Sequence, residues 1–189
     1  MITFDFPFIM KQVKLADKSF QLYIDSKKIN LAIDEVAKKI NEDYKGKCPL
    51  FLCVLNGSFL FAADLLKRFE GECEVSFVKI SSYDGTSSSG ELRKLIGLNE
   101  KIEGRDVIVV EDIVDTGFTL DGVYEQLKTH KPKTIKTATL LFKPNAYQKD
   151  IEINYSALSV GNEFLVGFGL DYDGLGRNLE DIYIIKETA

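Results

Sequence analysis

The chain has 189 residues, 45% of them hydrophobic and 28% charged, with a formal net charge of −5. That length carries one domain with a substantial core, and the composition is that of a globular protein, not a disordered or fibrous one. The acidic balance excludes a broad nucleic-acid-binding face, so any anion site must be local, built from backbone N–H groups and a few basic side chains.

The chain opens on Met-Ile-Thr-Phe-Asp-Phe-Pro, with no basic start and an early Asp5. No secretory leader is read there, and no apolar stretch approaches the length of a membrane span, so a cytoplasmic protein without a membrane partner is expected. Ile29, Ile33, Val36, Ile40 and Tyr44 recur at helical spacing, which predicts an amphipathic helix over 27–44 with Ser26 as its cap. Residues 49–55 are an apolar run, expected as a buried strand. Asn56-Gly57-Ser58 breaks it and opens a helix with Phe59, Ala62, Leu66 and Phe69 on one face. Cys48 and Cys53 read as core residues, and with Cys73 they make an odd count that fits no disulfide framework. Residues 73–80 alternate as a second strand. The segment 81–91 has five serines and two glycines, and reads as a floppy connection or a lid.

A third strand is expected over 105–110, followed by a helix carrying Leu120, Val123, Tyr124 and Leu127, and a fourth strand over 134–142. His130, the only histidine, sits in a polar run and reads as a solvated helix-end residue. A histidine triad or a zinc cluster has little to work with. Short strands are expected at 151–155, 164–169 and 181–185. The alternation of strands and helices predicts an α/β fold with a mostly parallel twisted sheet flanked by helices, and the short C-terminal strands suggest a small appended subdomain. Ligands in such sheets bind at the carboxyl ends of strands, where both 56–58 and 111–117 fall.

The stretch 107–119, Val-Ile-Val-Val-Glu-Asp-Ile-Val-Asp-Thr-Gly-Phe-Thr, carries the chemistry. An apolar strand runs into Glu111, Asp112 and Asp115, and Thr116-Gly117-Phe118-Thr119 then opens a helix. Backbone N–H groups at such a start form an anion nest, which Gly117 lets a phosphate approach closely. A plain helix cap by Asp115 or Thr116 is the simpler alternative, but it leaves the adjacent, mutually repelling Glu111 and Asp112 unexplained. Neighbouring acids at a strand end suit a metal or ribose hydroxyls. Neither a Gly-x-Gly-x-x-Gly nor a Gly-x-x-x-x-Gly-Lys-Ser/Thr pattern occurs, which removes the main support for dinucleotide or P-loop binding.

The same stretch resembles the phosphoribosyl-pyrophosphate (PRPP) motif of type I phosphoribosyltransferases. Together with Leu55-Asn56-Gly57-Ser58-Phe59, Ser82-Tyr83, Leu-Leu-Phe-Lys-Pro at 140–144, and Phe164-Leu-Val-Gly-Phe-Gly-Leu-Asp-Tyr-Asp with Arg177-Asn-Leu, it resembles the hypoxanthine-guanine phosphoribosyltransferases over about residues 50–185. The resemblance implies that family's fold: a single domain over 1–189, a core over about 27–150, and a segment 151–189 contributing to a base-binding hood. It implies a purine-salvage enzyme that transfers the phosphoribosyl group of PRPP to hypoxanthine or guanine, giving IMP or GMP and pyrophosphate. A homo-oligomer, dimer or tetramer, is implied, and no nucleic-acid partner.

The residue roles follow from the resemblance alone. Glu111 and Asp112 match the acids that hold the ribose, partly through Mg2+, and Asp171 matches a further magnesium-site acid beside the base. Residues 115–119 match the loop around the 5′-phosphate, and Asp115 the proton acceptor near purine N7. Lys143 matches the lysine that reads the 6-oxo group, Phe164 the stacking aromatic, and Leu165 the backbone at the base edge. Asn56, Gly57 and Arg177 match the pyrophosphate site, and Ser82 and Tyr83 the mobile loop. The family often has lysine where this chain has Asn56, a departure that removes a cation from the pyrophosphate turn. Two other readings differ in class: a regulatory nucleic-acid binder that kept a PRPP site, and an adenine or orotate enzyme.

Overall fold

Strands β3 (Leu50–Leu55) and β6 (Asp106–Val114) lie side by side at the centre of a six-stranded sheet, in a computed structural model that describes residues 11–81, 94–98 and 100–186. Outside β3 come β4 (Glu74–Ser81) and β5 (Lys94–Ile96), and outside β6 come β7 (Thr134–Phe142) and β8 (Tyr155–Ser159). The order is β5-β4-β3-β6-β7-β8, with β5 antiparallel and the other five parallel. The expected α/β fold with a mostly parallel sheet is therefore the one formed.

The apolar runs lack alternation because both faces of the central strands are covered. Phe51, Cys53, Ile108 and Val110 face a core with helix α1 (Ser26–Asp43) and helix α2 (Phe59–Leu66). Leu50, Leu52, Val107 and Val109 face the opposite core with helix α3 (Phe118–Thr129). Burying each of these side chains contributes about 1.5–3 kcal/mol. The α1 stripe Ile29, Ile33, Val36, Ile40 and Tyr44 is buried as its spacing predicts. His130 is exposed at the C-cap of α3, as expected.

Several local expectations fail for identifiable reasons. Asp25, not Ser26, caps α1: its Oδ1 accepts the Lys28 N–H at 2.8 Å, while the Ser26 N–H donates to Asp181 Oδ1 at 2.8 Å. On α2 the buried face is Phe61, Ala62 and Leu65, and Phe59 is exposed, because the helix begins one residue after Ser58 and turns Phe59 outward. Cys53 is buried but Cys48 is exposed, since it precedes the strand. Strand β6 continues to Val114, so Glu111 and Asp112 lie within it, not beyond its end. The expected strand at 151–155 is found at Tyr155–Ser159, paired to β7, so the main sheet runs on past residue 150.

A second sheet, order β1-β2-β10-β9, is antiparallel throughout. Its strands are β1 (Gln12–Leu15), β2 (Lys18–Ile24), β9 (Leu165–Val166) and β10 (Ile182–Ile185). The described part of the expected 151–189 segment, up to residue 186, thus divides between the two sheets. Half of the small sheet comes from the N-terminal hairpin, for which no element is expected from the sequence before residue 27. Val13 and Leu15, then Phe20, Leu22 and Ile24, alternate about a two-residue turn, and that period of two was the available signal. Phe20, Val166 and Tyr183 form the small core of this sheet. Buried Asp181 ties it to α1 through the Ser26 N–H, and also accepts from Lys11 Nζ and, at 3.2 Å, from the Tyr183 hydroxyl.

Candidate active site

Glu111 sits in register with Thr139 of β7, and both are buried. Among the described residues, Glu111 Oε1 has no hydrogen-bond partner. Burial, with the Asp112 charge next to it, pushes the Glu111 carboxyl well above the ordinary carboxylate range. Asp112 is pushed up by burial too, opposed by backbone N–H groups of Ile113 and Asp112 and by the Arg177 guanidinium. A buried acid without a donor costs folding energy and awaits a cation or hydroxyls.

Asp112 meets the turn after β3. A Cβ on Gly57 would fall inside the Asp112 carboxylate, and a Cβ on Gly169 would fall on the Gly57 carbonyl. Three segments far apart in sequence therefore touch through positions that have no room for a side chain. The Leu55–Asn56 peptide in this turn is cis. Ser58 is fully buried, and its hydroxyl donates to Val54 O at 2.6 Å. Gly169 continues the contact: its N–H donates to Arg177 O at 2.9 Å, and Arg177 Nη1 donates to Gly169 O at 2.7 Å.

Asp171 and Arg177 bond each other, Nη2 to Oδ1 at 2.6 Å, and Asp171 Oδ2 accepts the Gly174 N–H at 2.7 Å. Both oxygens expected for a metal thus already have partners. Among the described residues no group of three or more His, Cys, Asp or Glu side chains converges as a metal site.

Beyond Val114 the chain turns into α3. Gly117 holds the cap position at φ +84°, a left-handed conformation that suits glycine. The plain side-chain cap by Asp115 or Thr116 is not what forms, since the cap residue has no side chain to offer. A Cβ there would enter the Tyr147 ring. That ring is fixed by its hydroxyl on Ile151 O at 2.6 Å and by an edge contact with Phe142, centroids 5.3 Å apart. Thr116 O accepts the Gln148 N–H at 3.1 Å. Lys149 Nζ lies 4.2 Å from the centroid of the exposed Phe118 ring and 2.6 Å from Asp121 Oδ2. Thr119 is exposed in the first turn of α3. The segment 143–149 thus lies along the 115–119 loop, a relationship absent from the sequence expectations.

Lys143 reaches the same loop. Its side chain is 9% exposed and its Nζ sits 2.8 Å from Asp115 Oδ2, whose side chain is 47% exposed. Its N–H donates to Val114 O at 3.0 Å. Phe164 is exposed beside the small sheet, against Phe20 and Tyr172, and Leu165 is buried in β9. The expected loop at 81–91, with Ser82 and Tyr83, lies outside the described residues apart from Ser81.

Two groups result. Gly57, Asp112, Gly169, Asp171 and Arg177 are linked by direct contacts, and Asp115, Lys143, Thr116 and Gly117 by another set. Strand β6 joins them, since Glu111 to Asp115 are consecutive. Gly169 is the residue missed: it stands in the sequence as Gly-Phe-Gly, and its φ of +101° with close backbone approach is what such glycines signal.

Residues 22–173 match the phosphoribosyl transferase domain family. The chain is 46% identical over 154 residues to a hypoxanthine-guanine phosphoribosyltransferase of Streptococcus thermophilus, covering 81% of this chain and 86% of the relative. It superposes with a TM-score of 0.81 and 36% identity on a hypoxanthine phosphoribosyltransferase from Staphylococcus aureus, covering 87% of this chain and 90% of that one. A hypoxanthine phosphoribosyl transferase of Trypanosoma cruzi, studied for the role of its C-terminal region in oligomeric state and enzymatic activity, superposes at 0.81 with 34% identity, over 92% and 95% of the two chains.

Proposed function

This chain belongs to the phosphoribosyltransferase family, among the hypoxanthine-guanine enzymes of purine salvage, and we propose that the carboxyl ends of β6 and β7 are where it joins a 6-oxopurine to the phosphoribosyl group of PRPP. The reaction forms the bond from purine N9 to ribose C1′ and breaks the bond from C1′ to pyrophosphate, giving IMP or GMP.

The observation that carries the reading is the Lys143–Asp115 contact at the mouth of the 115–119 loop. A lysine held there donates to an oxo group at purine position 6, and would face donor against donor with a 6-amino group. Asp115 next to it takes the proton that N7 releases as N9 bonds to the sugar. Phe164 stacks on the base and the Leu165 backbone pairs with its edge. The backbone N–H groups of 116–119 hold the 5′-phosphate, Glu111 and Asp112 the ribose hydroxyls, and the Asn56-Gly57 backbone with Arg177 the pyrophosphate. Positive charge grows on the ribose as pyrophosphate leaves, so the nearby carboxylates stabilise the transition state. The lid role of Ser82 and Tyr83, which would keep water from that cation, belongs to the same proposal.

The buried, unpartnered Glu111 Oε1 beside Asp112 fits Mg2+, which takes one or two carboxylates together with substrate phosphates and water. Glu111 and Asp112 would hold it, with Asp171 contributing after its bond to Arg177 opens. When bound, the ion neutralises charge on the departing pyrophosphate.

Three free thiols fit a reducing compartment, in keeping with a cytoplasmic place; none of the helices among the described residues is long and apolar enough to cross a membrane. A homo-oligomer, dimer or tetramer, completes the proposal, and exposed Val75 and Phe77 on β4 are surface that an interface would cover. Light scattering on the eluted protein checks the assembly. The activity is tested with purified protein, PRPP and Mg2+ against a panel of bases. Hypoxanthine and guanine should give IMP and GMP, adenine far less, and all turnover should cease with EDTA. Absence of turnover with any 6-oxopurine would overturn the assignment.

A further inference from the structure

We infer that Tyr172, backed by Phe20 of the N-terminal hairpin, is a positioning residue for the purine: it holds Phe164 in the orientation that stacks on the base. The inference rests on the stacking role proposed above for Phe164, and adds a part of the chain to which that role assigns nothing.

Three rings form a triangle. Phe164 and Tyr172 have centroids 5.9 Å apart with planes at 86°, Phe20 and Tyr172 lie 6.0 Å apart, and Phe20 and Phe164 6.4 Å apart. The members differ in exposure in a telling way. Phe20 is fully buried, Tyr172 is partly buried, and Phe164 stays 47% exposed although it is a large apolar ring. Phe164 follows exposed Asn162 and Glu163 and directly precedes β9; its carbonyl accepts the Ile185 N–H at 3.1 Å, which fixes its backbone on the small sheet but not the rotamer of its ring. Without neighbours its ring would sample several rotamers, and each stacking event would require ordering it. Two rings at these separations fix it from the protein side and leave its remaining surface for the base.

The support is itself anchored. The Tyr172 hydroxyl donates to Asp17 Oδ1 at 2.8 Å, in the turn between β1 and β2. A Cβ at Gly176 would come within 2.6 Å of Leu15 Cδ1, so the loop carrying Tyr172 rests directly on β1. The Tyr172 backbone also closes a two-way bond with Leu175, at 3.0 and 2.9 Å. The hairpin therefore touches the 171–177 loop through Asp17, Leu15 and Phe20, and the stacking ring through Phe20 again. Since Asp171 and Arg177 bond across the same loop, Tyr172 sits where the base side and the pyrophosphate side of the site meet.

The test is steady-state kinetics on the full chain with Tyr172→Leu, Tyr172→Phe, Phe164→Ala and the Phe164→Ala/Tyr172→Leu pair. Tyr172→Leu should raise KM for hypoxanthine about three- to tenfold, leaving KM for PRPP within about twofold. Tyr172→Phe, which keeps the ring, should stay near the parent. On the Phe164→Ala background, Tyr172→Leu should add nothing further, because the ring that it positions is gone. A merely structural tyrosine would instead move both KM values and the melting temperature, and would multiply with Phe164→Ala. That result, or an unchanged base KM in Tyr172→Leu alongside a raised one in Phe164→Ala, overturns the inference. If Phe164→Ala leaves the base KM unchanged, the stacking assignment is wrong and the positioning role falls with it. Should Tyr172→Leu fold poorly, Phe20→Leu probes the same support from the hairpin side, with the same two readouts.

Discussion

Lys143 Nζ stands 2.8 Å from Asp115 Oδ2, joining the lysine at the end of β7 to the acid that follows β6. One partner is buried and the other half-exposed, so the pair presents both charges at a boundary with solvent. A neutral 6-oxopurine can bridge such a pair, taking a hydrogen bond from one member and giving a proton to the other.

That relationship separates two variants. Lys143→Met should lower kcat/KM for hypoxanthine by about 100-fold, the equivalent of about 3 kcal/mol for a lost charged donor, and should reduce the preference over adenine. Asp115→Asn keeps size and position, and should lower kcat by about 100- to 1,000-fold with a smaller change in base KM. Steady-state rates with hypoxanthine and adenine decide; equal losses in both variants and for both bases would contradict separate roles.

Gly57→Ala tests the close approach of the turn to β6. The added methyl cannot coexist with the Asp112 carboxylate where it stands, so the carboxylate must move by more than an ångström or the turn must open. A displacement of that size at a reacting centre costs about 100-fold in rate. The expected outcome is kcat/KM for PRPP down by about 10- to 100-fold with the melting temperature nearly unchanged. Retained activity would mean that Asp112 is not held in place there.

Asp181 predicts a pH dependence of stability. Burial raises its carboxyl pKa, but bonds from Lys11, the Ser26 N–H and Tyr183 outweigh that and hold it below the ordinary 3.8. The unfolded chain binds this proton first as pH falls, so the stabilisation is complete above about pH 5, shrinks as pH drops past 4, and is gone below the folded-state value. Of these bonds, that from Lys11 lowers the pKa most and that from the Ser26 N–H next; Lys11 is half exposed, so part of its share is screened by solvent. Asp181→Asn should cost about 2 kcal/mol at pH 7, lowering the melting temperature by about 4–8 °C, and the gap from the parent should close towards pH 3. Thermal melts across that range would show it.

The three thiols should differ in reactivity. Burial pushes the Cys53 thiol up to about 12 and raises Cys73 as well, while Cys48 is exposed on the segment before β3. The thiolate is the reactive form. At pH 8 a disulfide reagent should modify Cys48 first and Cys73 slowly, and should reach Cys53 only in denaturant, as peptide mapping of the labelled protein would reveal.

What could be read from the residues, and what could not, follows from the range of the forces. Val107 to Val110 declared a strand covered on both faces, because burial on both sides leaves no polar position. The acids after it declared a ligand, because neither Glu111 nor Asp112 serves the fold. Lys143 and Phe164 were picked out by their resemblance, not by periodicity. The α2 face was read partly right: Ala62, Leu66 and Phe69 pack on the core, but Phe59 turns outward and Phe61 and Leu65 take the most buried places. The contacts of Gly57 with Asp112 and Gly169 were invisible, since nothing local in a sequence says which distant segment a bare backbone position will meet. The small sheet was hidden for the same reason: β2 pairs with β10, some 160 residues away.

That pairing sets an order of assembly. In the small sheet β10 lies between β2 and β9, so the strand made last holds together two strands made earlier. The six-stranded sheet needs nothing beyond Ser159 and can close while the C-terminal residues are still emerging from the ribosome. Residues 12–24 must meanwhile wait, with one edge unpaired, until Ile182–Ile185 arrive. A chain stopped before Asp181 would keep the strand ends that cradle the sugar and phosphate, yet have no platform for the base. Such a truncation should bind PRPP without turning it over, and its exposed strand edges should make it prone to aggregate.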